Sequence, residues 1–167
     1  MSWVNSMEKV YIGKIVSTHG IKGEIKIISD FPYKDKVFKL GNKLIIDEKE
    51  YEIKSYRVHK HFDMVKLNNY NDINEVLFLM KKKVYFYKED LNLNDNEILD
   101  EELMKFEVLT TTGKRGIIKE IFLASPKNKI IRVLFDKEVL IPINSPMIKE
   151  INKKEKNIVV ELIEGIY

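Results

Sequence analysis

Residues 13–28 read GKIVSTHGIKGEIKII, and the alternation in this stretch decides the fold class. Two apolar-alternating runs, over residues 10–16 and 21–27, flank a short polar connection at residues 17–20. One face of the second run carries three isoleucines, Ile21, Ile25 and Ile27. A period of two is typical of a strand with one buried side, so the stretch predicts a β-hairpin.

The connection of this hairpin carries His19 and Gly20, and Gly23 lies just inside the second run. Glycine at such positions permits a positive φ or leaves space for a crossing backbone. We therefore expect Gly20 and Gly23 to shape a turn and a bulge. A second interpretation is that the loop amides meet a partner or a phosphate, which makes His19, Gly20 and Gly23 candidate partner-binding residues.

The first half of the chain predicts further short strands. They are expected at residues 42–46, 50–58, 62–67 and 84–87. With the hairpin they make five or six antiparallel strands. Closing such a sheet into a ring removes its unpaired edges, so a small closed β-barrel is predicted.

One short helix interrupts these strands. Asp72 and Glu75 form a capping-box pattern at its start. Its apolar face is predicted to consist of Ile73, Val76, Leu77 and Met80. The helix is expected to end among Lys81, Lys82 and Lys83, where cations suit the carbonyl end of the helix dipole. The alternative interpretation of these lysines is a nucleic-acid site.

The composition changes at residues 89–102, which carry seven acidic and no basic side chains. This stretch is interpreted as a linker between an N-terminal domain at residues 7–88 and a C-terminal domain at residues 103–167. Two roles are open for it. It is either a solvated connector or an acidic patch that attracts a basic partner, an effect that salt would screen.

The C-terminal domain again shows β patterning. Strands are expected at residues 106–110, 117–123, 130–135, 139–143, 147–151 and 158–163. The predicted fold class is therefore all-β with one short helix, arranged as two small β-barrels.

The composition excludes several classes of protein. The chain has no cysteine, so disulfides, thiolate catalysis and thiolate metal sites are excluded. His59 and His61 would share a face of a strand, but no third ligand is spaced to complete a metal site, and no catalytic motif is present. No apolar run reaches the ~18 residues of a membrane span. We expect a monomeric, cytoplasmic protein without catalytic residues, metal or cofactor.

The run at residues 13–27 resembles the opening signature of the RimM ribosome maturation factors, the 16S rRNA processing proteins. Later parts of the signature follow in the same order, at the helix that begins with Asp72, at residues 84–86, at residues 109–113 and at residues 140–142. The resemblance covers residues 10–167. An ordered series of this kind is more specific than any one motif.

The resemblance implies a non-enzymatic assembly factor, built from an N-terminal RimM barrel and a C-terminal PRC barrel. Such a factor binds the small-subunit ribosomal protein numbered nineteen, which lies in the head, and helps 16S rRNA and the immature small ribosomal subunit to mature. A strongly basic ribosomal protein would be attracted by the acidic stretch. The resemblance places the contact just before the second barrel, at Ile98, Leu99, Asp100 and Leu103.

One departure from the family pattern bears on this contact. Ile98 and Leu99 stand where the family usually carries a pair of tyrosines. Aliphatic side chains keep an apolar contact but lose the phenol hydroxyls and the aromatic area. Replacing both with alanine is expected to weaken partner binding without unfolding the barrels.

An alternative function is direct binding of RNA. In this interpretation Lys22, Lys26 and the run at residues 81–83 contact phosphates of rRNA. Neutralised phosphates release counterions, so the affinity for RNA would fall steeply with salt.

Overall fold

The computed structural model describes residues 7–163, and the chain divides into two compact units, Met1–Asn92 and Leu93–Tyr167. Residues 1–6 and 164–167, which include Gly165, lie outside the described part. The boundary between the units falls inside the acidic stretch at residues 89–102. Both units consist mainly of β-strands, which confirms the predicted fold class.

The first unit is a closed six-stranded barrel, as predicted. Its strands are β1 (Lys9–His19), β2 (Glu24–Ile28), β3 (Lys43–Ile46), β4 (Lys49–His59), β5 (Phe62–Leu67) and β6 (Lys83–Tyr87). They follow one another around the barrel in the order β1-β2-β5-β4-β3-β6. Isoleucines from several strands fill the interior and are fully buried, among them Ile12, Ile15, Ile25, Ile27 and Ile53.

The β1–β2 hairpin differs from its prediction in the position of the turn. β1 continues to His19, and the turn occupies residues 20–23. Ile21, expected beside Ile25 in the core, lies in this turn with 74% of its surface exposed. The apolar alternation therefore begins only at Glu24, because the backbone of the turn does not keep the period of a strand.

β1 contains a bulge that sets the direction of its side chains. Tyr11 pairs with Tyr85, but the register shifts before Gly13, which pairs with Val84. Ile12 and Gly13 are both buried, while Tyr11 and Lys14 are exposed. A Cβ atom on Gly13 would overlap the carbonyl oxygen of Ile28, so only glycine fits at this point. The bulge thus places Tyr11 and Lys14, which are three positions apart in the sequence, on the same outer face of the barrel.

Two short helices lie between the strands of the barrel, α1 (Lys34–Val37) and α2 (Ile73–Val76). Asp72 caps α2 as predicted, since its Oδ1 accepts a hydrogen bond from the backbone N–H of Asn74 at 2.7 Å. Glu75 reaches back one residue further than a capping box requires, because its Oε1 accepts from the N–H of Asn71 at 3.1 Å.

The helical segment tightens after α2 into a 3₁₀ turn, Leu77–Leu79. This turn buries Leu79 and leaves Leu77 half exposed, so the predicted position of Leu77 on the buried face is wrong. Three residues per turn replace the period of 3.6 on which the prediction rested. Lys81 and Lys82 lie beyond the turn and Lys83 starts β6, so their interpretation as cations of the last helical turn is also wrong.

The described part of the second unit, up to residue 163, contains six strands and one short helix. They are α3 (Asp100–Leu103), β7 (Glu107–Thr110), β8 (Arg115–Ser125), β9 (Asn128–Leu134), β10 (Glu138–Pro142), β11 (Ile148–Asn152) and β12 (Asn157–Val160). The sheet order is β10-β9-β8-β7-β12-β11, and β7 pairs with β12 in parallel. Within residues 7–163 no pairing joins β10 to β11, so hydrogen bonds do not complete the predicted ring. Pro142 and Pro146 remove backbone donors at this edge.

The core of the second unit is formed by buried aliphatic side chains on its strands, with contributions from the segment before β7. Val108, Ile131, Val133, Ile141 and Ile158 are buried at its centre. Ile98 and Leu103 belong to the same cluster. Among the described residues, no helix is long and apolar enough to cross a membrane.

Candidate functional site

The predicted partner-binding residues lie in two separate places. His19, Gly20 and Gly23 belong to the β1–β2 turn of the first unit, whereas residues 98–103 belong to the second unit. Each place is described within its own unit.

The β1–β2 turn depends on its two glycines. Gly20 and Gly23 have φ angles of +69° and +86°, which confirms the expected turn. The expected bulge at Gly23 is wrong, because Gly23 belongs to the turn and the register of β1 and β2 shifts between Ile15 and Ser17 instead. The carbonyl oxygen of Ile21 accepts a hydrogen bond at 2.9 Å from the N–H of Ile73, at the start of α2. The turn is therefore tied to the segment that leads into α2.

Side chains at the end of β1 and β4 gather next to this turn. The rings of His19 and His59 lie 5.3 Å apart. Arg57 donates two hydrogen bonds to the carboxylate of Glu24, at 2.7 and 2.9 Å. These hydrogen bonds lower the pKa of Glu24, and burial together with the neighbouring cations lowers the pKa of His59. A surface cleft here is lined by His19, Gly20, Ile21, Lys22, Glu24 and Lys66.

His59 and His61 do not share the face of a strand, contrary to expectation. His59 ends β4, whereas His61 lies in the turn before β5 and packs its ring against Phe62 at 4.4 Å. In the part of the chain that the structure describes, no group of three histidine or carboxylate residues is placed to hold a metal ion.

Three of the four contact residues predicted around α3 are buried, and only Asp100 is exposed to solvent. Ile98, Leu99 and Leu103 are buried, with exposed fractions of 6%, 5% and 2%. Because Ile98 and Leu103 pack into the core of the unit, replacing Ile98 with alanine would open a cavity rather than only remove a surface contact. Their direct contact with a partner stays a prediction.

The acidic side chains of α3 face solvent. Asp100 and Glu101 are exposed, and the first turn of the helix carries Asp100, Glu101 and Glu102. Asp100 also forms an ion pair with Lys129 on β9, with Oδ1 2.5 Å from Nζ. Asp95, in the loop before α3, is exposed as well. We call Asp95, Asp100, Glu101 and Glu102 the acidic surface.

A cleft that the sequence did not predict lies in the same unit, and its lining combines apolar side chains with the charged Lys105, Glu107 and Arg115. Its lining begins one residue after α3. Its lining includes Met104, Phe106, Ile117 and Phe135, and at one side Arg115 donates to Glu107 at 3.0 Å. Met104 and Ile117 expose 39% and 52% of their surfaces. The signal in the sequence was the pair Ile117-Ile118, since neighbours on a strand point to opposite faces and one of them must face outward.

The comparisons with known proteins agree over nearly the whole chain. The family profile described as RimM N-terminal domain matches residues 10–91. Ribosome maturation factor RimM of Listeria monocytogenes serotype 4b (strain CLIP80459) is 36% identical over 171 residues, which covers 96% of this chain and 99% of the relative. The protein of the same name from Bacillus subtilis (strain 168) is 33% identical, with coverages of 93% and 94%.

Among solved structures, the crystal structure of a 16S ribosomal RNA processing protein RimM from Pseudomonas aeruginosa aligns with 93% of this chain and 98% of that chain. The identity is 23% and the TM-score 0.47. The identities to the Listeria and Bacillus proteins, at nearly full length, decide the family. The chain belongs to the RimM family of ribosome maturation factors.

Proposed function

We propose that this chain is a ribosome assembly factor that binds the small-subunit ribosomal protein numbered nineteen, in the head, and so promotes 16S rRNA processing and maturation of the small subunit. The observation that carries the proposal is the exposed acidic surface on and before α3, in the same unit as a cleft that starts at Met104 and presents the partly exposed Met104 and Ile117. Membership of the RimM family supports the role in ribosome maturation.

The chemistry of this region suits a basic protein partner. Exposed carboxylates steer a cationic partner toward the surface and raise its association rate, but they add little affinity on their own. Met104 and Ile117 supply partly exposed apolar area that a partner can bury, and burial of such anchors carries most of the affinity of an interface.

The buried residues of the segment have a different role in this proposal. Ile98 and Leu103 hold α3 on the core of the unit, and thereby fix the direction in which the carboxylates of Asp100 and Glu101 point. Ile98 and Leu103 thus support the contact from the core without touching the partner. The proposed function needs no catalytic group and no cofactor, and it is exerted in the cytoplasm.

The test measures binding of the purified ribosomal protein to the full chain. Met104→Ala together with Ile117→Ala is expected to raise Kd at least about fivefold, the effect of losing about 1 kcal/mol at an interface. The control is Leu140→Ala, since Leu140 is also half exposed but lies outside the lining of the cleft. Equal losses in both variants, or none in either, would refute the assignment of the cleft.

The carboxylates are tested separately. Asp95→Asn with Glu101→Gln is expected to lower the association rate and its dependence on salt. Glu150→Gln with Glu155→Gln removes the same charge from exposed positions elsewhere in the unit and should have a smaller effect. In a strain depleted of the native protein, the cleft variant should leave unprocessed 16S rRNA, whereas the Leu140→Ala variant should restore processing.

A further inference from the structure

The outer face of the first barrel carries two lysines that oppose each other directly. Lys14 on β1 pairs with Lys83 on β6, and residues paired across a sheet point to the same side. Like charges in this position destabilise a sheet. Within residues 7–163 neither Lys14 nor Lys83 forms an ion pair. Their mutual repulsion is therefore not relieved by a carboxylate of the described chain.

Two aromatic rings continue the same face. Tyr11 pairs with Tyr85, and their ring centroids lie 5.7 Å apart with an interplanar angle of 71°. Tyr11 exposes 49% of its surface, and Tyr85 is half-buried. Exposed rings beside unpaired cations on a sheet are the arrangement on which proteins stack bases of single-stranded nucleic acid while binding its phosphates.

The bulge in β1 is what brings these groups together. Without it, Lys14 would point to the opposite side of the sheet from Tyr11, because positions three apart on a regular strand face opposite ways. The extra residue at Ile12 and Gly13 restores Lys14 to the outer face. Bulges that redirect a side chain in this way are common at binding sites.

We propose that this face, formed by Tyr11, Lys14, Lys83 and Tyr85, binds single-stranded RNA. A base stacks against the exposed ring of Tyr11, and Lys14 and Lys83 contact the phosphates that flank it. The ligand is defined by its chemistry, an unpaired base with adjacent phosphates. The inference goes beyond the proposed contact with a ribosomal protein and involves other residues of another unit.

The first experiment measures the affinity of the full chain for a single-stranded RNA of about 12 nucleotides as a function of salt. Lys14→Gln with Lys83→Gln is expected to reduce the slope of log K against log salt by about 1.4, since each phosphate contact on a single strand contributes ~0.7. The matched control is Lys137→Gln with Lys154→Gln, which removes two exposed lysines from the second unit and should change the slope less.

The second experiment tests stacking. Tyr11→Leu keeps an apolar side chain on the strand and is expected to weaken binding of the single strand at least about fivefold. An RNA duplex of the same length should bind the parent more weakly than the single strand.

Three results would overturn the proposal. The first is that the parent does not bind RNA at low salt. The second is that the double variant Lys14→Gln with Lys83→Gln and its control Lys137→Gln with Lys154→Gln show the same slope of log K against log salt. The third is that Lys14→Gln with Lys83→Gln loses binding of the ribosomal protein and keeps binding of RNA. The last result would assign the face to a protein. Because the variants leave the acidic surface and the cleft untouched, failure here is distinguishable from failure of the proposed function.

Discussion

Gly23 and Tyr70 approach so closely that a Cβ atom on Gly23 would lie 3.0 Å from the carbonyl oxygen of Tyr70. Gly20, in the same turn, has nothing within 4 Å of the corresponding position. Both residues have a positive φ. The turn therefore contains two glycines with the same backbone requirement and different space around them.

Gly23→Ala is expected to destabilise the barrel more than Gly20→Ala. The positive φ costs about 1–2 kcal/mol for alanine at either position, and only the substitution at Gly23 adds a clash with the Tyr70 backbone. Urea unfolding of the two variants measures the difference. Equal free energies of unfolding would show that the backbone near Tyr70 moves aside without cost.

The second prediction concerns Asp63, whose side chain is 2% exposed. Tyr56 donates its hydroxyl to Oδ1 at 2.6 Å, and Lys34 Nζ lies 2.8 Å from Oδ2 without the alignment of a hydrogen bond. Burial and this carboxylate raise the pKa of the Tyr56 hydroxyl. Lys34→Met removes the only cation paired with Asp63 among residues 7–163, leaving a buried carboxylate, and is expected to cost on the order of 3 kcal/mol.

The control for that experiment is Lys34→Met combined with Asp63→Asn. The double variant no longer buries an uncompensated charge, so it should recover much of the lost stability. Thermal unfolding of the single and double variants measures the recovery. A double variant less stable than Lys34→Met alone would show that Asp63 matters for its hydrogen bonds rather than for its charge.

The third prediction separates the core of the second unit from its surface. Ile98→Ala is expected to destabilise the unit by about 2–5 kcal/mol, while Met104→Ala, at a partly exposed position, should change the free energy of unfolding by no more than about 0.5 kcal/mol. Hydrogen exchange at the amides of β9 measures the stability of the second unit separately from that of the barrel. Protection unchanged by Ile98→Ala would contradict the burial of this side chain.

The fourth prediction concerns pH and the Glu24–Arg57 pair. Because the hydrogen bonds from Arg57 hold the pKa of Glu24 below its ordinary 4.5, the pair contributes stability that is fully present above pH 4.5 and is lost as the pH falls through the lowered pKa. Arg57→Gln should raise the pKa of Glu24, measured from the NMR shift of its carboxyl carbon. Lys54→Gln, which removes the cation beside Glu52, should leave the pKa of Glu24 unchanged.

Much of the fold was predictable because most strands follow a period of two. The prediction for residues 62–67 coincides with β5, and most other strands begin and end within two residues of their predicted bounds. The errors occur where the backbone changes its period. Ile21 was assigned to the core because the alternation was continued through a turn, and Leu77 because the helical period was continued through a 3₁₀ turn.

The candidate site was predictable in its chemistry but not in its exposure. The acidic stretch is visible in the composition, and its carboxylates do face solvent at Asp100 and Glu101. The burial of Ile98 and Leu103 depends on how a four-residue helix packs on distant strands, which composition does not reveal. The bulge at Gly13 is hidden for a similar reason, since its cause is the close approach of Ile28 from the neighbouring strand.

The parallel pairing of β7 with β12 has a consequence for the order in which the chain can fold as it is synthesised. Once Tyr87 has emerged from the ribosome, all six strands of the barrel are outside it, so this unit can form early. β7, by contrast, cannot pair with β12 until Val160 has emerged, and the segment between them, which contains β8 to β11, must then bring the two strands together. During translation the chain thus passes through a stage in which a finished barrel is followed by a sheet with an open edge at β7.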